Sequence, residues 1–233
     1  MRTYVINLRR RPDRRARMQS RLPPDLDVTF TSDWDGPLDG ADIDAAALTG
    51  FGLFPWQIES ENPWWSRPLK KGEIGCAVSH WRCWNDAWDR ADDEVLILED
   101  DVRLADGFVE RLSLILERVR RRDAGWQLIY LGRLRTMQDR PIGEGLVRPG
   151  FSLCTYAYML SRSGVRALLS TRFSEDLIPA DEFLAASYFL HPRADVRARY
   201  PPLLNAFALE QDIAFQSAAE GDSDTERTAF VDT

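Results

Sequence analysis

Histidine, lysine and cysteine are all scarce in this 233-residue chain, which has only His80 and His191, Lys70 and Lys71, and Cys76, Cys83 and Cys154. Three cysteines are an odd number and lack zinc-ligand spacing. They argue against a disulfide frame or a structural zinc site and predict buried thiols in a reducing compartment. No apolar run approaches the ~20 residues a membrane-spanning helix needs. No apolar leader precedes the first strand, so the expectation is a cytoplasmic protein. GxGxxG is absent, which excludes a dinucleotide site of the usual kind. A net charge of −7 argues against nucleic acid as a partner. With no internal repeat and no linker, the chain reads as one domain, long enough to bury a substantial core.

What is abundant is arginine, which supplies nearly all the positive charge and clusters at Arg9, Arg10, Arg11, Arg14, Arg15, Arg17 and Arg21. Arginine suits bidentate contact with phosphate or carboxylate; a solvated helix face is the plainer reading of the same cluster. The central stretch is Val95-Leu96-Ile97-Leu98 followed at once by Glu99-Asp100-Asp101. Four branched apolar residues read as a strand buried on both faces. Three adjacent carboxylates repel one another unless water screens them or a cation sits among them, and Mg²⁺ or Mn²⁺ suits oxygen ligands best. Strand ends are where open α/β sheets bind ligands. A solvated acidic loop is the alternative.

Around this stretch the chain alternates strands and helices. Strands are predicted at residues 3–8, 28–32, 126–131, 152–161 and 200–209, and helices at 9–22, 71–90, 108–119, 165–169 and from 178 onward. In the helix 71–90, Ile74, Ala77, Trp81, Trp84 and Trp88 form the predicted buried stripe, with His80 flanking it. Phe54, Trp56, Trp64 and Trp65 stand among prolines in an irregular segment, able to stack on sugar faces or to plug the core. Residues 136–149 read as a mobile loop and 220–226 as a disordered polar tail. Asp181 and Glu182 open a helix, where they complement its dipole or present a general base.

Taken together, these motifs resemble glycosyltransferase family 25. The resemblance rests on Ile6-Asn7-Leu8 with Arg11 to Arg14, Asp35-Gly36, Leu69 to Cys76 with Ser79-His80, and Leu98 to Val102. It continues through Leu128 to Arg133, Pro179 to Leu184, His191-Pro192 and Ser223 to Glu226. The later motifs are most similar to the procollagen-type branch. The resemblance implies a GT-A-type α/β fold, with a twisted, mostly parallel sheet flanked by helices. Residues 1–105 would then form a nucleotide-sugar-binding half, 106–220 an acceptor and catalytic half, and 221–233 a polar tail. It further implies a UDP-sugar donor, most often UDP-galactose, a Mn²⁺ (or Mg²⁺) ion, inversion at the anomeric carbon, and a glycan or glycolipid acceptor such as a lipopolysaccharide-core sugar. Such an acceptor is made at the inner face of a membrane, which allows peripheral membrane contact.

By the same resemblance Glu99 and Asp101 would face the metal, as the counterpart of a DxD-type motif whose first residue is here Glu. Asp181 would be the base, with Glu182 second. Asn7, Arg11, Arg14, Asp35 and Asp100 would surround the nucleotide, while Gly72, Glu73 and His80 shape the sugar and phosphate side. Asp224 and His191 complete the expected site. Two other classes stand beside this reading. One is a catalytically silent sugar-binding module, and the other a metal-dependent phosphoesterase, which would need more ligands than one acidic cluster and two histidines offer.

Overall fold

The computed structural model describes residues 1–34, 49–216 and 228–231. Asp35 and Asp224, with the polar tail around the latter, lie outside the described residues. The strands are β1 (Arg2–Ile6), β2 (Asp27–Phe30), β3 (Glu94–Glu99), β4 (Val102–Leu104), β5 (Leu128–Arg135), β6 (Arg140–Gly143), β7 (Leu146–Arg148), β8 (Ser152–Ser161), β9 (Ala206–Leu209) and β10 (Ala214–Gln216). The helices are α1 (Pro12–Arg21), α2 (Lys71–Asp89), α3 (Phe108–Arg122), α4 (Arg162–Ser170), α5 (Ala180–Tyr188) and α6 (Ala194–Arg199).

The main sheet has the order β2-β1-β3-β8-β5-β9-β7-β6. Following the pairings, β1, β2, β3, β5, β6 and β9 run one way and β7 and β8 the other, so the sheet is mostly parallel in direction. The central strand β3 shows why both faces are covered. Val95 and Ile97 pack into one core with Ala77 and Trp84 of α2, Val165 of α4 and Phe183 of α5. Leu96 and Leu98 point the other way, against Met18 of α1 and Leu112, Ile115 and Val119 of α3. Burial of such a side chain stabilises by roughly 1.5–3 kcal/mol. A period-two strand can be apolar at every position only between two helical layers.

Three expectations are corrected. His80 is completely buried and continues the α2 stripe, which runs through Ala77, His80, Trp84 and Ala87 at spacings of three and four. Trp88 is the exposed residue, with 36% of its surface open, and Arg162 stacks over its ring. Residues 136–149 contain a hairpin of β6 and β7 whose turn, Gly143-Glu144-Gly145, has φ of 89°, 58° and 74°. Two glycines supply that left-handed turn at little cost, and they are a readable signal for it. Finally, Ala206–Leu209 alone forms a strand in the region 200–209, because Pro201 and Pro202 cannot donate to a ladder.

The carboxyl end of β3 positions the site. The chain turns at Asp100-Asp101 and leaves as β4, which pairs antiparallel with β10 so that Val102 faces Gln216. This approach depends on Gly132 of β5, where an added Cβ would lie 2.1 Å from the carbonyl oxygen of Ala214. Gly132→Ala is therefore expected to destabilise by about 1–3 kcal/mol and to displace β10. A thermal melt checks the first effect, and loss of the Gln216 contact by amide NMR the second. At the start of α2, Glu73 accepts from the Lys70 N–H at 2.7 Å. Residues 228–231 pair with the entry segment, where Lys71 N–H donates to Ala229 at 2.9 Å and Val231 N–H to Leu69 at 2.8 Å. No described helix is long and apolar enough to cross a membrane.

Candidate active site

A cleft of about 550 Å³ opens beside the end of β3. Its walls carry Glu73 and Cys76 of α2, Glu99 of β3, Asp181 and Glu182 of α5, and Gln216 of β10. Trp56, Trp64 and Trp65 form an aromatic side of the same cleft. Sheet topology thus gathers carboxylates from three distant stretches, and it gathers them beside a surface suited to sugar rings.

At the strand end, Glu99 Oε1 accepts from the Thr155 hydroxyl at 2.7 Å and lies 3.3 Å from His80 Nε2. The other His80 nitrogen, Nδ1, is 2.8 Å from the Tyr158 hydroxyl. That hydroxyl in turn accepts from Trp84 Nε1 at 3.0 Å. Burial pushes the Glu99 carboxyl up, but His80 and Thr155 outweigh it and leave it below its ordinary value. Asp101 accepts from Gln216 Nε2 at 3.0 Å. Burial, then the charge of Glu99, push its carboxyl up to about 6.

These residues fit a divalent cation. Asp101 Oδ1 is buried with no hydrogen-bond partner among the described residues. A buried, unsatisfied oxygen beside a second carboxylate is a ligand arrangement. In addition, the ligand atoms of Cys76, His80 and Glu99 all lie within 4.8 Å of one another. Glu99 therefore belongs both to the acidic turn and to this close cluster with Cys76 and His80.

Across the cleft, Asp181 is held by two backbone donors. Cys154 N–H reaches Oδ2 at 3.2 Å and Glu182 N–H reaches Oδ1 at 2.9 Å. Burial, then the charge of Glu182, raise its carboxyl to about 7. A carboxylate tuned to that range is suited to take up a proton near neutral pH. Glu182 serves differently. Its Oε1 accepts from Trp65 Nε1 at 3.1 Å and its Oε2 lies 2.7 Å from His191 Nε2. His191 Nδ1 accepts the Arg193 N–H at 3.0 Å, so the ring proton sits on Nε2 and points at Glu182. Glu182 thereby ties the aromatic loop to the buried His191.

The remaining predicted residues make other contacts, Glu73 from the cleft wall and the rest away from it. Asp100 turns away into the interior, where Arg14 donates at 2.7 Å and Asn7 Nδ2 at 2.7 Å. Asn7, Arg14 and Asp100 thus come together as a buried network that ties β1 and α1 to the acidic turn. Arg11 pairs with Asp13 at 3.0 Å. Gly72 N–H donates to the Thr228 hydroxyl at 2.8 Å, and Glu73 pairs with Arg67 at 2.6 Å. Cys76, Cys154, Thr155 and Gln216 join the site without having been expected from the sequence. The spacing of Cys76 to His80, one turn of helix, is a legible hint; the other three have no local signal.

The family model for glycosyltransferase family 25 (LPS biosynthesis protein) matches residues 1–141. The chain is 35% identical over 237 residues to the probable inactive glycosyltransferase 25 family member 3 of Rattus norvegicus, covering 97% of this chain and 40% of that protein. It is 33% identical over 239 residues to procollagen galactosyltransferase 1 of Danio rerio, covering 98% of this chain and 39% of that one. The chain thus spans about two fifths of the length of the curated relatives it matches. Among solved structures, mannose-1-phosphate geranyltransferase from Thermus thermophilus aligns with a TM-score of 0.42 at 14% identity, over 89% of this chain and 72% of that one. With the family's model covering the strand end, the acidic turn and the helix that carries His80, this chain belongs to glycosyltransferase family 25.

Proposed function

We propose that the chain is an inverting, metal-dependent glycosyltransferase that moves a hexose, galactose foremost, from a UDP-sugar to a hydroxyl acceptor. The observation that carries this reading is Asp181, whose carboxyl is raised to about 7 in a cleft that also holds Glu99. Inverting transfer needs one base on the acceptor side and charge stabilisation on the leaving-group side. Asp181 takes the proton of the acceptor hydroxyl. The backbone N–H groups of Cys154 and Glu182 hold its two oxygens in place for that step. Glu99 and Asp101 would hold the Mn²⁺ or Mg²⁺ ion, which when bound neutralises charge on the departing diphosphate. His80 and Thr155 orient Glu99, and Gln216 orients Asp101. Trp56, Trp64 and Trp65 offer ring faces on which an acceptor sugar stacks, and Glu182 fixes Trp65.

For the acceptor we favour a lipopolysaccharide-core sugar made at the cytoplasmic face of a membrane, in line with the description of the family model. A collagen-like protein is the alternative, supported by the Danio rerio relative's name. A silent sugar-binding module is the second reading, because relatives as similar as the rat protein are named inactive. UDP release from a panel of UDP-sugars, with and without Mn²⁺, separates these. Metal-dependent release from one UDP-sugar, abolished in Asp101→Ala, is the expected outcome. UDP binding without any release, across acceptors of both kinds, would favour the silent module.

A further inference from the structure

The least regular piece of the cleft is on β8. Cys154 has a φ of 64°, a left-handed conformation that a residue with a side chain adopts only when its surroundings demand it. It lies within a break of the β5–β8 ladder. Gly132 faces Ala157 and Leu134 faces Leu153, so Cys154, Thr155 and Tyr156 stand opposite Arg133 alone. Such bulges re-aim groups beside functional sites. Here the two re-aimed groups point at the two carboxylates the proposed reaction uses. Cys154 N–H reaches Asp181 Oδ2 at 3.2 Å, and the Thr155 hydroxyl reaches Glu99 Oε1 at 2.7 Å.

A strand continued in regular register could not do both. Ladder geometry alternates its groups between the sheet edge and the two faces, whereas the bulge turns a backbone donor and the next side chain toward one cleft. Thr155 has one hydroxyl proton, and giving it to Glu99 leaves lone pairs toward His80 Nε2, 3.2 Å away. Because Tyr158 accepts from Trp84, its own proton is free for His80 Nδ1, which directs the His80 Nε2–H at Thr155 and Glu99.

We propose that the β8 bulge is a positioning device for the transfer, in which the left-handed backbone of Cys154 holds Asp181 and the hydroxyl of Thr155 holds Glu99. This rests on the glycosyltransferase reading above. The thiol has no part in it; what matters is the backbone conformation and the direction of the N–H.

The test compares Cys154→Gly with Cys154→Val. Both lack the thiol, but glycine adopts the left-handed conformation freely and a β-branched residue resists it. Two readouts are needed, the pH profile of UDP release and the titration of the Asp181 carboxyl in the free protein by ¹³C NMR. Glu182, Glu99, Cys76, Cys154 and Tyr130 interact electrostatically with Asp181, and the Gly–Val comparison leaves all of them matched. Cys154→Gly is expected to keep at least half of turnover. Cys154→Val is expected to lose about 30-fold in turnover and to move both the acidic limb and the Asp181 titration up by about one pH unit, since a lost donor favours the protonated acid. Equal behaviour of the two variants would overturn the proposal.

Should Cys154→Val not fold, Thr155→Val tests the other arm, because valine suits a strand and removes only the hydroxyl. It is expected to weaken Mn²⁺ binding, followed by electron paramagnetic resonance, about tenfold, with Thr155→Ser restoring it. Unchanged Mn²⁺ affinity would count against the device. If the wild type releases no UDP, the transferase reading fails, yet the Asp181 titration still decides whether the bulge holds that carboxylate.

Discussion

Asp181→Asn is expected to lower turnover by about 1,000-fold, within the usual range for loss of a general base, while UDP affinity stays within a few-fold of the wild type. In the proposed reaction the carboxyl serves the acceptor, and UDP would be held by the strand end opposite. Steady-state kinetics and UDP calorimetry check the two halves of this statement; loss of UDP binding would place Asp181 on the donor side instead. The pH dependence carries its own sign. Because folding raises the Asp181 carboxyl from 3.8 to about 7, its stabilising contribution is fully present below about pH 4 and is lost as the pH rises through about 7. The proposed catalysis needs the ionised form, so turnover is expected to rise over the same interval in which stability falls. In the Asn variant, which cannot ionise, that part of the descent of Tm disappears. Thermal melts from pH 4 to 8 read it directly. A site that is least stable when it is competent is the usual cost of tuning an acid by burial.

The largest effect on stability is expected at Arg14. Its guanidinium and the Asp100 carboxylate are both buried, with 8% and 6% of their side chains exposed. Burial raises the Asp100 carboxyl even with Arg14 beside it. Arg14→Met leaves Asp100 and its Asn7 contact without the compensating charge, which costs about 3–5 kcal/mol. For a domain of this size that is a fall in Tm of about 10 °C. Adding Asp100→Asn removes the orphaned charge and keeps an acceptor for Asn7, so the double variant should recover most of the loss. The comparison also separates the two roles open to Arg14. A fall in UDP affinity with little change in Tm would make it a donor contact; a fall in Tm with UDP binding retained at low temperature makes it a strut beneath the acidic turn.

The same region shows how much can be read from the chain. Val95 to Leu98 announce a strand buried on both faces, and Glu99-Asp100-Asp101 announce an acidic strand end, because both signals are local and rest on residue types in sequence. What cannot be read is the separate fate of three adjacent carboxylates. Glu99 is held by Thr155 and His80, Asp100 turns inward to Arg14, and Asp101 leans on Gln216. Each direction depends on a partner 19 to 115 positions away. His80 departs from expectation for a related reason. A helix stripe weighted by hydrophobicity follows the tryptophans, whereas the buried face of α2 follows whatever Tyr158 and Glu99 can satisfy. The hairpin of β6 and β7 escapes a reading by periodicity, although Gly143 and Gly145 flag its turn, because both strands are too short to show a period and β6, at the sheet edge, is largely exposed.

By itself the sequence determined the class of the fold, the acidic strand end, Asp181 and Glu182 at a helix start, and an aromatic loop between prolines. Those follow from periodicity, turn chemistry and charge crowding, which act over a few residues. Only the tertiary structure decided that Asp181 and Glu99 share one cleft with the tryptophans, and that a bulge on β8 touches both carboxylates. It also separated Asp181, held by two backbone donors, from Glu182, bound to Trp65 and His191. The physical reason is that a carboxylate's role depends on its desolvation and its donors, and both are supplied by segments that only the packed sheet brings together.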